Sequence, residues 1–142
     1  MQSLCIRIAS EQDIDAVLQL WASAGSVPTV SDTHDGILAL LRTDPQALLL
    51  AVREDLLVGS LIATFDGWRA NFYRLAVDPA HRRRGVASAL LAQAERRLAD
   101  RGAIRLSAIV ASDDSRAGGF WRAAGYECQK HRARFVKPAD TG

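Results

Sequence analysis

Arg82, Arg83 and Arg84 stand directly before Gly85, and Gly85 stands before a run with helical periodicity. Three guanidinium groups in a row supply charge-assisted donors for phosphate oxygens. The first N–H groups of a helix have no partner within it, and the aligned peptide dipoles leave a partial positive charge at that end. Gly85 lets an anion approach the backbone where a Cβ would obstruct it, and Ala87 keeps the next turn clear. Upstream, Leu75-Ala76-Val77 reads as a strand end and Asp78-Pro79 as a turn. The stretch therefore predicts a strand, a cationic loop and a helix N-terminus arranged to hold phosphate. Val86, Leu90, Leu91, Ala94 and Leu98 fall on one face of that helix and anchor the loop on a packed element.

Arg82-x-x-Gly85-x-Ala87, after a strand ending in Val77-Asp78-Pro79, resembles the pyrophosphate loop of the GNAT superfamily of N-acetyltransferases, whose pattern is Arg/Gln-x-x-Gly-x-Gly/Ala. The resemblance continues through a helix stop at Gly102, a strand over 103–110, and Ala117-Gly118-Gly119-Phe120-Trp121-Arg122-Ala123-Ala124-Gly125-Tyr126. That second block is similar to the family's short helix carrying Asn-x-x-Ala-x-x-Phe-Tyr and ending in Gly-Phe or Gly-Tyr. The resemblance covers nearly the whole chain and implies an α/β fold of the α+β kind: a central mixed, mostly antiparallel sheet with helices on both faces. A splayed strand pair within it would bind acetyl-CoA. By the same resemblance Leu75, Ala76 and Val77 offer main-chain groups to the pantetheine arm, and one amide polarises the acetyl carbonyl. The loop residues Arg82, Arg83, Arg84, Gly85, Val86, Ala87 and Ser88 hold the diphosphate, with Asp114, Ala117 and Trp121 contributing from the second block.

The implied reaction is transfer of an acetyl group from acetyl-CoA to a primary amine of a small molecule, amino acid or peptide by direct attack. The amine must lose a proton, the oxyanion must be stabilised and the thiolate must leave. A strand amide meets the second need. An alkyl ammonium titrates near ~10, so the first calls for a positioned carboxylate, histidine or water chain. Asp66, Tyr73, Asp78 and His81 are the candidates, with Glu54 more remote; Asp66-Gly67 is also an ordinary turn pair. Where the family has a tyrosine that protonates the thiolate, this chain has Trp121, whose indole donates a hydrogen bond but no proton near neutral pH. Tyr126, Ser115 or water can substitute, and a thiol of pKa about 8.5 is a tolerable leaving group unassisted. Asp114 replaces the family's asparagine and remains a good helix cap. Acceptor contacts fall on Pro28, His34, Trp68 and Arg69. The alternative reading is a catalytically degenerate acyl-CoA-binding sensor or interaction module of the same fold, which Trp121 keeps open.

The elements that must position these residues follow from periodicity. Leu4, Ile6 and Ile8 alternate as a first strand. Ser10-Glu11-Gln12-Asp13 starts a helix with apolar positions Ile14, Val17, Leu18 and Trp21 and a stop at Gly25. A loop with Pro28 leads to a second helix carrying Ile37, Leu38, Leu40 and Leu41, which ends before Asp44-Pro45. Apolar runs over 47–52 and 57–65, separated by Arg53-Glu54-Asp55, signal a hairpin. A strand over 71–77 delivers the loop, and a helix over 86–101, a strand over 103–110, a helix over 114–124 and a strand from 126 to about 136 complete the order. One domain over 1–142 accounts for the chain, with 137–142 prone to fray.

Composition excludes several classes. With 49% hydrophobic and 24% charged residues, this is an ordinary globular sequence. No apolar run approaches the roughly 20 residues of a membrane span, and the N-terminus carries no secretion pattern, so a cytoplasmic protein without a membrane partner is expected. Cys5 and Cys128 read as reduced thiols in strands, packed and inert. A net charge of +2, with no basic helix or aromatic platform, argues against a nucleic-acid partner. No Gly-x-Gly-x-x-Gly follows the first strand, which disfavours a dinucleotide enzyme. No metal is called for, and homodimerisation, common in such folds, is left undecided by the residues.

Overall fold

The computed structural model describes residues 3–26 and 28–139, which fall into two compact units, one reaching Ile109 and the other starting at Val110. The first unit holds β1 (Leu4–Ile8), α1 (Ile14–Ser23), α2 (His34–Thr43), β2 (Leu48–Arg53), β3 (Leu56–Phe65), β4 (Arg69–Val77), α3 (Val86–Asp100) and β5 (Arg105–Ala108). The strands form one sheet in sequence order. Every pairing is antiparallel except β4 with β5, which is parallel because α3 crosses between them.

The sheet is covered on both faces. Leu48, Leu50, Ile62 and Ala76 form one buried cluster with Ile14, Val17, Leu20 and Trp21 of α1 and Ile37 and Leu41 of α2. On the other face α3 closes down on β3, so that a Cβ at Gly59 would stand 2.7 Å from Val86 Cγ1. The stripe read from the sequence of α3 is the buried set: Val86, Leu90, Leu91, Ala94 and Leu98. The β2–β3 hairpin turns on Glu54 and Asp55, both with positive φ (52° and 62°), so two residues without glycine adopt the twist that a tight hairpin favours.

The entry to α1 is set by Asp13. Its carboxylate accepts from the Ser10 amide at 2.7 Å and from both Arg7 terminal nitrogens at 2.8 Å. Those Arg7 bonds, first, and the Ser10 bonds hold the Asp13 carboxyl well below the usual carboxylate range, against a smaller opposing effect of burial. A carboxyl depressed in the folded state stabilises above its unfolded value and loses that contribution as pH falls. Asp13→Asn is therefore expected to cost about 1 kcal/mol at pH 7, discounted for the half-exposed Arg7 partner. The gap to wild type should shrink below about pH 4. Urea unfolding at pH 7 and pH 3 checks both, and a gap that stays constant would contradict it.

Several expectations are corrected. β5 is shorter than the predicted 103–110, and β4 starts two residues earlier than 71–77. In the second unit α4 (Ser115–Ala123) is present, but the predicted strand over 126–136 is irregular and exposed, with Phe135 at 94% and Val136 at 76%. Lys130-His131-Arg132-Ala133-Arg134 breaks apolar alternation there, and among the described residues this unit holds no strand to pair with it. Cys5 and Cys128 are both exposed free thiols rather than packed residues: Leu4, Ile6 and Ile8 take the inward side of β1, and Cys128 lies in the irregular stretch after α4.

Candidate functional site

At the end of β4 the Asp78 amide donates to the Val58 carbonyl at 2.8 Å, and its carboxylate accepts from the Ala80 amide at 2.9 Å, capping a single turn at Pro79–His81. This turn is fixed to the sheet a second time: the buried Arg53 at the end of β2 brings Nη1 to 3.4 Å from His81 Nδ1. Guanidinium has only donors, so Nδ1 is the acceptor in this contact.

The three arginines divide. Arg82 turns back and donates from Nη2 to the Ala24 carbonyl at 3.3 Å, at the C-terminal end of α1 where the helix dipole favours a cation. Arg83 and Arg84 are exposed. Arg83 and Gly85 lie in the left-handed region, with φ 62° and 78°. The first bond of α3 runs from the Ala89 amide to the Gly85 carbonyl at 3.0 Å, which leaves the amides of Val86, Ala87 and Ser88 at the mouth of the helix. A Cβ placed on Gly85 would meet no protein atom within 4 Å. An open, cationic helix N-terminus suits a diphosphate.

The strand leading to it carries two irregularities. Pairing with β5 stops at Phe72–Ala108, so residues 73–77 run on past the last paired position on that side. Against β3 the register jumps from Ile62–Tyr73 to Ser60–Ala76, so that Leu61 faces both Arg74 and Leu75. Arg74, at φ 55°, is the bulged residue. Backbone freed on one side and kinked on the other can pair with amides of an extended ligand.

The sequence-predicted residues fall into five groups. Leu75, Ala76, Val77 and the loop 82–88 are contiguous with the site just described. Tyr73 adjoins the bulge and packs on the α1–α2 cluster. Asp66, Trp68 and Arg69 lie at the opposite end of β4, about 25 Å from Val77 at roughly 3.3 Å per strand residue. There Asp66 accepts from the Trp68 and Arg69 amides, both at 2.8 Å, and Arg69 stacks on the Trp68 ring at 4.2 Å. Pro28 and His34 are exposed in and after the α1–α2 connection. In the second unit, Asp114 caps α4 by accepting from the Ala117 amide at 3.0 Å. Trp121 is buried there, edge-on to Phe120 and Tyr126 with ring centroids at 5.4 and 5.0 Å. Asp32, Ser60 and Arg74, which brace the bulge, went unmarked by the sequence; a serine inside the apolar run 57–65 was the one available signal.

A model of the acetyltransferase (GNAT) family matches residues 14–126, and so spans both units. The chain belongs to that family. An acetyltransferase of Yersinia pestis (strain Pestoides F) is 33% identical over 124 residues, covering 87% of this chain and 88% of its own. Among solved structures, Ard1 from Thermoplasma volcanium superposes with a TM-score of 0.81 at 24% identity, covering 89% of this chain and 84% of its own. The aminoglycoside N-acetyltransferase AAC(6')-Iy, solved in complex with CoA, superposes with a TM-score of 0.73 at 18% identity, covering 98% and 97%. These likenesses confirm the GNAT fold expected from the two sequence blocks. Among the described residues no group of three or more histidine, cysteine or acidic side chains is placed to hold a metal ion. No described helix is long and apolar enough to cross a membrane.

Proposed function

We propose that this GNAT protein transfers an acetyl group from acetyl-CoA to a primary amine, with both units acting as one domain. The observation that carries the reading is the open helix mouth at Gly85, flanked by Arg83 and Arg84 and fed by a strand whose last residues have no β5 partner. The AAC(6')-Iy complex supports it, since that protein of the same fold binds CoA. Acetyl-CoA supplies the activated acyl group. The amides of Val86, Ala87 and Ser88, with Arg83 and Arg84, hold its diphosphate, while Arg82 is committed to α1 and shapes the loop. Backbone amides of residues 73–77 align the pantetheine arm, and one beside the bulge polarises the thioester carbonyl. Tyr73 is the predicted acid–base residue that lies beside the bulge; Asp66 closes a hairpin turn at the far end of the strand.

Trp121 favours one other reading. Buried between two aromatic rings, it occupies the family's tyrosine position as a packing residue, which suits an acyl-CoA sensor. CoA release from acetyl-CoA over a panel of amines, amino acids and short peptides separates the two. Amine-dependent release is expected, with kcat for Tyr73→Phe lower by about 10²- to 10⁴-fold, the range for lost acid–base help. Tight acetyl-CoA binding without release on any amine would favour the sensor.

A further inference from the structure

The bulge on β4 is braced from two directions, by side chains of α1, β3 and the α1–α2 connection. From within the core, the Trp21 indole donates to Ser60 Oγ at 2.8 Å, and the Ser60 hydroxyl donates to the Arg74 carbonyl at 3.2 Å. From outside, the Arg74 guanidinium is bidentate on Asp32, with Nε at 3.1 Å from Oδ1 and Nη2 bonded to Oδ2. Asp32 also accepts from the Thr29 amide at 2.7 Å and the Thr29 hydroxyl at 3.0 Å, so the same carboxylate closes a turn in the α1–α2 connection. The guanidinium carbon lies 5.6 Å from the centre of the Trp21 ring, which joins the two braces. Only 20% of the Arg74 side chain and 10% of the Asp32 side chain remain exposed. A long side chain at φ 55° persists only where its surroundings over-determine it, and here four residues from α1, the connection and β3 do so.

We infer that Asp32 and Arg74 are positioning residues for acyl transfer: their ion pair locks the α1–α2 connection, which bears Pro28, to the point on β4 where the thioester carbonyl is polarised. The inference rests on the proposed transferase reading. It predicts that the chemical step depends on the pair more steeply than cofactor affinity does, because the pair braces the strand amides of 73–77 while the diphosphate loop begins beyond the strand end and is held separately through Asp78, Arg53 and Arg82.

The test compares Asp32→Asn, Arg74→Gly and the double variant. Asparagine keeps the shape and an oxygen for Thr29 but loses the charge; glycine keeps the left-handed backbone without strain and removes the guanidinium. Each single variant is expected to lower kcat by about 10- to 100-fold, the cost of a misplaced reacting group, with a smaller rise of about two- to fivefold in the calorimetric Kd for acetyl-CoA as the strand amides of 73–77 loosen. The double variant should be no worse than the poorer single one, since both remove one interaction. Amide exchange followed by mass spectrometry should quicken at 73–77 in both, with β1 and β2 unchanged. Additive losses, or full kcat in Asp32→Asn from an active wild type, would overturn the inference alone. A wild type that turns over no amine would overturn the transferase reading beneath it, and unaltered exchange at 73–77 would then dispose of the brace as well.

Discussion

Gly85→Glu is expected to weaken acetyl-CoA binding by about 100-fold or more while leaving a folded protein, read by calorimetry beside a thermal melt. Two effects act, and their sizes differ. Glutamate at φ 78° adopts a left-handed conformation costing about 1–2 kcal/mol, which lowers the melting temperature without unfolding a domain of this size. Its Cβ meets no protein atom within 4 Å, so the fold itself is not obstructed. The remaining loss is specific to the ligand: a carboxylate enters the space in front of the Val86, Ala87 and Ser88 amides and competes with the diphosphate for them and for Arg83 and Arg84. Gly85→Ala separates the two effects, because it carries the strain without the charge. It should lower the melting temperature while keeping affinity within a fewfold of wild type, because strain shared by the free and bound protein cancels in binding. Equal affinity in wild type and Gly85→Glu would remove the diphosphate from this loop.

The loop and the face of α3 were legible because their causes are local. A glycine before a periodic apolar run, with cations before it, specifies a helix mouth and its charge within a dozen residues, and the buried set of α3 matches the stripe residue for residue. The bracing of the bulge was not legible, because Arg74 and Asp32 are 42 residues apart and meet only once α1 has packed on β4. Arg82 shows the same limit. Its type and place suggested a phosphate ligand, but its side chain reaches a carbonyl 58 positions earlier, which no local pattern encodes. Asp66 stood as a candidate base and, alternatively, as half of a turn pair, and it closes the turn before β4. Its distance from the loop depends on strand direction, since an antiparallel hairpin sets its turn at one end of β4 and the phosphate loop at the other. The strand expected over 126–136 fails for a related reason: strand formation depends on a partner, and five residues from Lys130 to Arg134 with four basic or imidazole side chains offer no apolar side to recruit one.

Gly59 links the core to this chemistry, and Gly59→Ala is expected to destabilise the protein by about 2 kcal/mol. Alanine is the better strand residue, which by itself would favour the variant by about 0.5–1 kcal/mol. The packing term opposes it and is larger. The new Cβ would stand 2.7 Å from Val86 Cγ1, 3.1 Å from Leu90 Cδ1 and 3.3 Å from the Ala76 carbonyl oxygen. Valine is stiff at χ1, and the carbonyl belongs to a paired strand, so neither retreats cheaply. Relief must come from α3 lifting off the sheet at its first turn, which carries the amides of Val86, Ala87 and Ser88 away from their present places. Acetyl-CoA affinity should therefore fall severalfold, although Gly59 reaches the proposed site only through Val86 and the pairing of β3 with β4. Adding Val86→Ala removes the nearest clash and should recover part of both losses, a coupling of about 1 kcal/mol in a double-mutant cycle by denaturant unfolding and calorimetry. If the losses simply add, the seat of α3 on Gly59 does not set the position of the helix mouth.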